Sequence, residues 1–188
     1  MRFTRDELHW EPWLAAKPLA EFTPDEQALL AKFGHSDSPY FRLLARNLPV
    51  LEQRTLTDKG IFYTPGGLPR AERELAATVA SKINGCIYCA SVHARKAAQL
   101  AKDETAIETL LAVTPGEQLS DGQTPGWQAQ IDFAAAISVT PPALSVDHLA
   151  AVEQQGLDTL ARLDLLQSAA FFAWANRLML TLGEPWQE

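Results

Sequence analysis

From Pro69 to Leu100 the chain runs through two stretches of helical apolar spacing separated only by Asn84-Gly85. Leu75, Ala76, Val79, Ala80 and Ile83 line one face of the first stretch, and Pro69 suits the opening of a helix. Asn-Gly is also a hairpin signal, but neither flank alternates apolar with polar residues. The spacing therefore predicts two helices, over about 69–83 and 86–100, folded back on each other by a tight turn.

Nearly every other strong period is helical too. Thr23-Pro24-Asp25-Glu26 reads as an N-cap, a proline in the first turn and acids near the positive end of a helix that closes at Gly34. Ser38 opens a further helical segment through Leu48, which Pro49 interrupts, and Leu51–Tyr63 resumes it. Thr64-Pro65-Gly66-Gly67-Leu68-Pro69 is a clear break. Asp103 is placed to cap a helix through Val113, and a polar loop follows from Thr114 to Gly126, including Pro115. Helices over about 127–139, 146–155 and 157–182 complete the chain, the last one apolar around much of its circumference. The reading is all-α. Residues 1–63 are expected as an N-terminal helical extension on a core of 64–188, the whole forming one compact unit. Trp10, Pro12 and Trp13 form an apolar arm, expected to pack across a neighbouring subunit, with its own subunit almost equally favoured.

Composition excludes several roles. A chain of 188 residues, 47% hydrophobic, can bury a full core, and a formal charge of −7 argues against a nucleic-acid surface. The least polar segment, Leu165–Asn176, falls short of the roughly 20 residues of a membrane helix. With acidic residues close behind Met1, the opening lacks the pattern of a signal peptide, and a soluble cytoplasmic protein is expected.

The chemistry concentrates in Cys86-Ile87-Tyr88-Cys89-Ala90-Ser91-Val92-His93, which holds both cysteines of the chain. On a helix Cys86, Cys89 and His93 fall at i, i+3 and i+7, along one face. Two thiols at this spacing can close a disulfide, and a histidine one turn on can take a proton from Cys89. A redox dithiol fits the run best. A zinc site would need a fourth ligand, and His9, His35 and His148 are isolated; two buried small hydrophobes beside a structural histidine is the remaining reading. Glu74, on the preceding helix with Thr78 and Ser81, is placed to orient His93, although alone it reads as a solvated residue of a charged run. Asn176 and Arg177 on the last helix are weaker candidates for the same pocket.

Glu74 followed by the Cys86–Cys89–His93 pattern resembles the alkylhydroperoxidase D-like (AhpD-like) branch of the carboxymuconolactone decarboxylase family, over about Pro69–Val113. Phe3–Trp10 and Ser38–Arg46 also resemble a subgroup described only as peroxidase-related. The resemblance implies an all-α AhpD-like helical bundle, its helix–turn–helix carrying the two cysteines, assembled as a homo-oligomer, often a trimer or hexamer. It also implies a thiol peroxidase chemistry. Cys89 would attack a hydroperoxide, Cys86 would resolve the sulfenic acid as a disulfide, His93 would be the base and Glu74 would hold or relay the proton. A dithiol reductant, a lipoyl-bearing or thioredoxin-like protein, would reopen the disulfide. No cofactor and no metal is implied. The family alternative is a decarboxylase acting on a lactone, and a further alternative is a non-catalytic redox-sensing oligomer. Where the best-known branch has a second histidine, this chain has Tyr88.

Overall fold

The computed structural model describes residues 2–114 and 116–186. Pro115, expected within the polar loop, lies outside the described residues. Helices carry the architecture: α1 (Pro24–Phe33), α2 (Pro39–Leu44), α3 (Leu48–Tyr63), α4 (Arg70–Ile83), α5 (Ile87–Ala101), α6 (Glu104–Ala112), α7 (Pro125–Ser138), α8 (Val146–Gln154) and α9 (Thr159–Leu182).

The helix ends follow local chemistry. Thr23 and Glu26 exchange side-chain and backbone hydrogen bonds in a capping box, and Gly34 closes α1 in the left-handed conformation. Ser38, Asp103, Thr124 and Asp158 cap α2, α6, α7 and α9 with side-chain oxygens. The Thr124 cap starts α7 two residues ahead of the expected Trp127.

At the centre lies α4, packed against α5, α7 and α9. Every residue from Arg73 to Lys82 is buried, so neither a solvated face nor a single apolar stripe describes this helix. Its apolar side chains join Phe133, Ile131, Leu165 and Phe172 in the main core, as do Trp10, Tyr40 and Phe62 from the first 63 residues.

The polar members of α4 are matched instead of solvated. Arg73 donates to the carbonyls of Leu68 (2.6 Å), Ile61 (2.7 Å), Thr64 (3.0 Å) and Gly66, and pairs with Asp164 of α9 at 2.9 Å. That one guanidinium fastens the Thr64–Pro69 break to two helices. Gly67 is required there: its φ is +63°, and a Cβ would collide with the Asp164 carboxylate.

The helical period of α9 divides into two faces. Leu165, Ala169, Phe172, Ala175 and Met179 enter the core, whereas Leu160, Leu163, Leu166 and Trp174 are exposed.

The arm differs from the favoured expectation. His9–Pro12 forms strand β1, antiparallel to β2 (Gly183–Trp186), with His9 opposite Trp186 and Pro12 opposite Gly183. Trp10 is buried on its own chain and donates to the Met179 carbonyl at 3.3 Å, while Trp13 remains exposed. The indole drives the docking, since its area is large and its N–H finds a partner. Gly183 permits it, because a Cβ there would strike the Glu11 carbonyl and the Trp10 ring.

Candidate functional site

The turn between α4 and α5 builds the thiol site. Gly85 takes φ +79°, the Asn84 side chain caps the Ala80 carbonyl at 2.8 Å, and the Cys86 amide returns to the Ser81 carbonyl at 2.8 Å. This reversal leaves Cys86 as the N-cap of α5 and Cys89 in its first turn. Their sulfurs are 2.8 Å apart, and both cysteines are free and buried.

The two thiols are driven apart in acidity. The Cys86 pKa is lowered by the hydrogen bond from Cys89, against its own burial, and the Cys89 amide at the positive end of α5 adds to the effect without forming a full capping bond. Cys89 moves the other way, well upward, through that same bond with Cys86, burial, and the adjacent sulfur's charge. The bond between the two sulfurs couples their protons, so that one thiol of the reduced pair ionises well before the other. The sequence expectation was a thiolate made at Cys89 by direct transfer to the imidazole, and the geometry bears on the direct contact. Among the described residues no hydrogen bond joins His93 to either sulfur.

His93 is instead committed to Glu74. Its Nδ1 lies 2.6 Å from Glu74 Oε2, which makes Nδ1–H the donor to the carboxylate and Nε2 the ring's basic atom. Glu74 is only 1% exposed and also accepts from Arg70 at 3.3 Å. Burial pushes its carboxyl upward most strongly, but the His93 hydrogen bond and charge, with Lys96 and Arg70, outweigh burial and leave it below the ordinary value. Phe172 stands against the imidazole at 3.9 Å, edge to face, and Phe62 lies 5.8 Å away.

Cys89, His93 and Glu74 meet in one cavity of about 220 Å³, with Tyr88 also on its wall. Cys86 lies behind Cys89 and does not line it. The rest of the wall comes from α2, α3 and α9: Tyr40, Arg54, Asp58, Phe62, Phe172 and Met179 among others. Sequence reasoning missed these residues; the only local signal was the i, i+4 spacing of Arg54 and Asp58, paired at 2.7 Å. Neither Asn176 nor Arg177 lines the cavity. Asn176 is buried against Ser81 at 3.1 Å, and Arg177 reaches Ala173 and Thr140. No group of three or more His, Cys, Asp or Glu among the described residues is arranged to hold a metal ion. Nor is any described helix long and apolar enough to cross a membrane.

Residues 49–115, from the start of α3 past α6, match the carboxymuconolactone decarboxylase family. The match covers the stretch that holds Glu74, the α4–α5 turn, both cysteines and His93. No curated protein matches it in sequence. Among solved structures it is similar to the alkylhydroperoxidase AhpD core of a peroxidase-related protein from Ralstonia eutropha JMP134. That likeness has a TM-score of 0.74 at 19% identity, covering 94% of this chain and 90% of the other. A peroxidase-related protein from Silicibacter sp. TM1040 gives 0.70 at 24% identity, covering 91% of each chain. The debrominase Bmp8, in a cysteine-to-alanine variant bound to 2,3,4-tribromopyrrole, gives 0.69 at 15% identity, again covering 91% of each. The fold is thus that of the AhpD core.

Proposed function

We propose that this protein is a thiol-dependent hydroperoxide reductase. One observation carries the reading: a dithiol with its sulfurs 2.8 Å apart has one member, Cys89, on a cavity that also contains a histidine–carboxylate pair.

The chemistry balances with these groups. Cys89 passes its proton through water in the cavity to Nε2 of His93, and Glu74 stabilises the imidazolium. The Cys89 sulfur then attacks a peroxide oxygen; the S–O bond forms, the O–O bond breaks, and the sulfur is oxidised to the sulfenic acid. The departing alkoxide takes the proton held on His93 and leaves as alcohol. Cys86, within bonding reach, attacks the sulfenic sulfur, forming the disulfide and releasing water with its own proton. An external dithiol, lipoyl-bearing or thioredoxin-like, restores both thiols by exchange and carries away the oxidising equivalents as its own disulfide. Two free neighbouring thiols suit a reducing compartment such as the cytoplasm. The exposed apolar face of α9 supports assembly into a homo-oligomer, for which a trimer or hexamer is the reading. Lactone decarboxylation, with no net redox change, gives the dithiol no role.

A second reading of the electron acceptor is favoured by the brominated-pyrrole complex of a neighbour and by the aromatic walls here, Phe41, Phe62 and Phe172. The same dithiol would then reduce a halogenated arene: the disulfide forms, halide leaves, and the ring carbon takes a proton.

The test is consumption of hydroperoxide by the reduced protein with dithiothreitol as reductant, beside bromide release from 2,3,4-tribromopyrrole. Cys89→Ser is expected to abolish hydroperoxide consumption, and Cys86→Ser to stop at a sulfenic acid that dimedone traps. Undiminished turnover in Cys89→Ser removes the mechanism; bromide release without hydroperoxide consumption replaces the first reading by the second.

A further inference from the structure

Two residues that α2 and α3 contribute to the wall of the cavity contain polar atoms left without a partner in the fold. Tyr40, on α2, is 7% exposed, and its hydroxyl is buried without a hydrogen-bond partner. Arg54, on α3, is 8% exposed; Nη1 donates to Asp58 at 2.7 Å, but Nε is buried and unpartnered. The guanidinium is held by the aromatic rings of Phe41 and Phe171, each 5.2 Å from its carbon. Both side chains line the same cavity as Cys89. Buried donors are ordinarily matched, because an orphan forfeits its solvation and gains nothing in return. Two such donors, on residues that line one small cavity together with a nucleophilic sulfur, suit an electron-rich oxygen brought by a ligand.

We propose that the Tyr40 hydroxyl and the Arg54 Nε–H bind the oxygen of the substrate on which negative charge develops. The proposal rests on the hydroperoxide reading and deepens it. As Cys89 attacks, the O–O bond breaks and the departing oxygen becomes an alkoxide. Tyr40 and Arg54 donate hydrogen bonds to that alkoxide until the proton on His93 reaches it, and neither residue is consumed. Donors already fixed in place before the reaction stabilise such charge without reorganising. The substrate class follows: a small hydroperoxide whose apolar body lies against Phe62, Phe172 and Met179. The volume of about 220 Å³ is below that of a site for drug-sized ligands, which starts near ~300 Å³.

Tyr40→Phe is the decisive variant. It keeps the ring that packs against Trp10 and Phe41 and deletes only a hydroxyl that bonds to nothing in the protein. A merely structural Tyr40 therefore gives a variant with unchanged denaturation midpoint and unchanged chemistry. The proposal instead expects an unchanged midpoint with single-turnover oxidation by tert-butyl hydroperoxide slowed on the order of 10- to 100-fold. Arg54→Lys, which retains charge but has no Nε–H in that position, is expected to slow it similarly. A second readout does not depend on peroxide chemistry: alkylation of Cys89 by iodoacetate, whose carboxylate can occupy the donor pair, against neutral iodoacetamide. The iodoacetate-to-iodoacetamide rate ratio is expected to fall on the order of tenfold in Tyr40→Phe. If the wild type ignores hydroperoxide yet this ratio falls, the oxygen-binding pair stands and the peroxidase reading fails. If the wild type consumes hydroperoxide and Tyr40→Phe matches it in both rates and ratio, the peroxidase reading stands and the proposal is overturned.

Discussion

Replacing Glu74 by glutamine removes one negative charge from a site with almost no solvent to compensate. The side chain is 1% exposed, its Oε2 lies 2.6 Å from His93 Nδ1, and Arg70 approaches Oε1 at 3.3 Å. In the proposed cycle His93 becomes positively charged when it takes the Cys89 proton, and only the carboxylate form of Glu74 stabilises that charge fully. A hydrogen bond with a charged partner contributes about 1.5–3 kcal/mol. At about 1.4 kcal/mol per tenfold, Glu74→Gln is expected to slow thiol oxidation by roughly 10- to 150-fold. Stopped-flow single-turnover oxidation at neutral pH, with thiol loss as the readout, measures it. The stability effect has a definite sign. The folded carboxyl sits below its ordinary value, so its contribution is present above about pH 4.5 and is lost as pH falls through the folded pKa. Wild type and Glu74→Gln should therefore converge in stability in acid and diverge at neutral pH. Oxidation within twofold of wild type, in a variant folded at neutral pH, refutes the proton relay.

Two other perturbations test the scaffold around the cavity. Burial drives the His35 imidazole down to about 4, with Arg54 adding to the effect, while Thr55 bonds its ring at 3.1 Å. The unfolded chain binds the extra proton between about pH 6.5 and 4, so wild-type stability falls as pH drops through that window. Denaturant unfolding of His35→Gln should show a flatter slope there, and an equal slope would show that His35 is not the titrating group. Arg73→Met strands four carbonyls and Asp164, and is expected to destabilise by about 3–5 kcal/mol in urea unfolding. A loss below about 1 kcal/mol would mean that the Thr64–Pro69 break is held by something else.

How much of this was legible from residues depends on how far each signal reaches along the chain. The helix boundaries at Thr23, Ser38 and Asp103 were readable because a cap is a local bond between neighbours. The dithiol, His93 and Glu74 were readable for the same reason, since one tight turn brings twenty residues into register. Tyr40, Arg54 and Phe172 were not, because three separate helices deliver them to the cavity through core packing that leaves no short-range pattern. The β1–β2 pair was invisible for a related cause. Gly183-Glu184-Pro185-Trp186 has no strand alternation, and its pairing is set by the burial of Trp10 from the far end of the chain. The acidity order of the two thiols also needed coordinates, because it turns on the bond between the sulfurs and on the burial of each.

The account rests on Cys89 and Cys86 acting as one two-electron donor to a peroxide bond. Peptide mass mapping of the reduced wild-type protein, before and after a stoichiometric addition of tert-butyl hydroperoxide, tests this most directly. The expected product is a single Cys86–Cys89 disulfide, with both thiols lost together, no oxygen retained, and one alcohol formed per disulfide. Two intact thiols after that exposure, in protein shown to be folded, would contradict it.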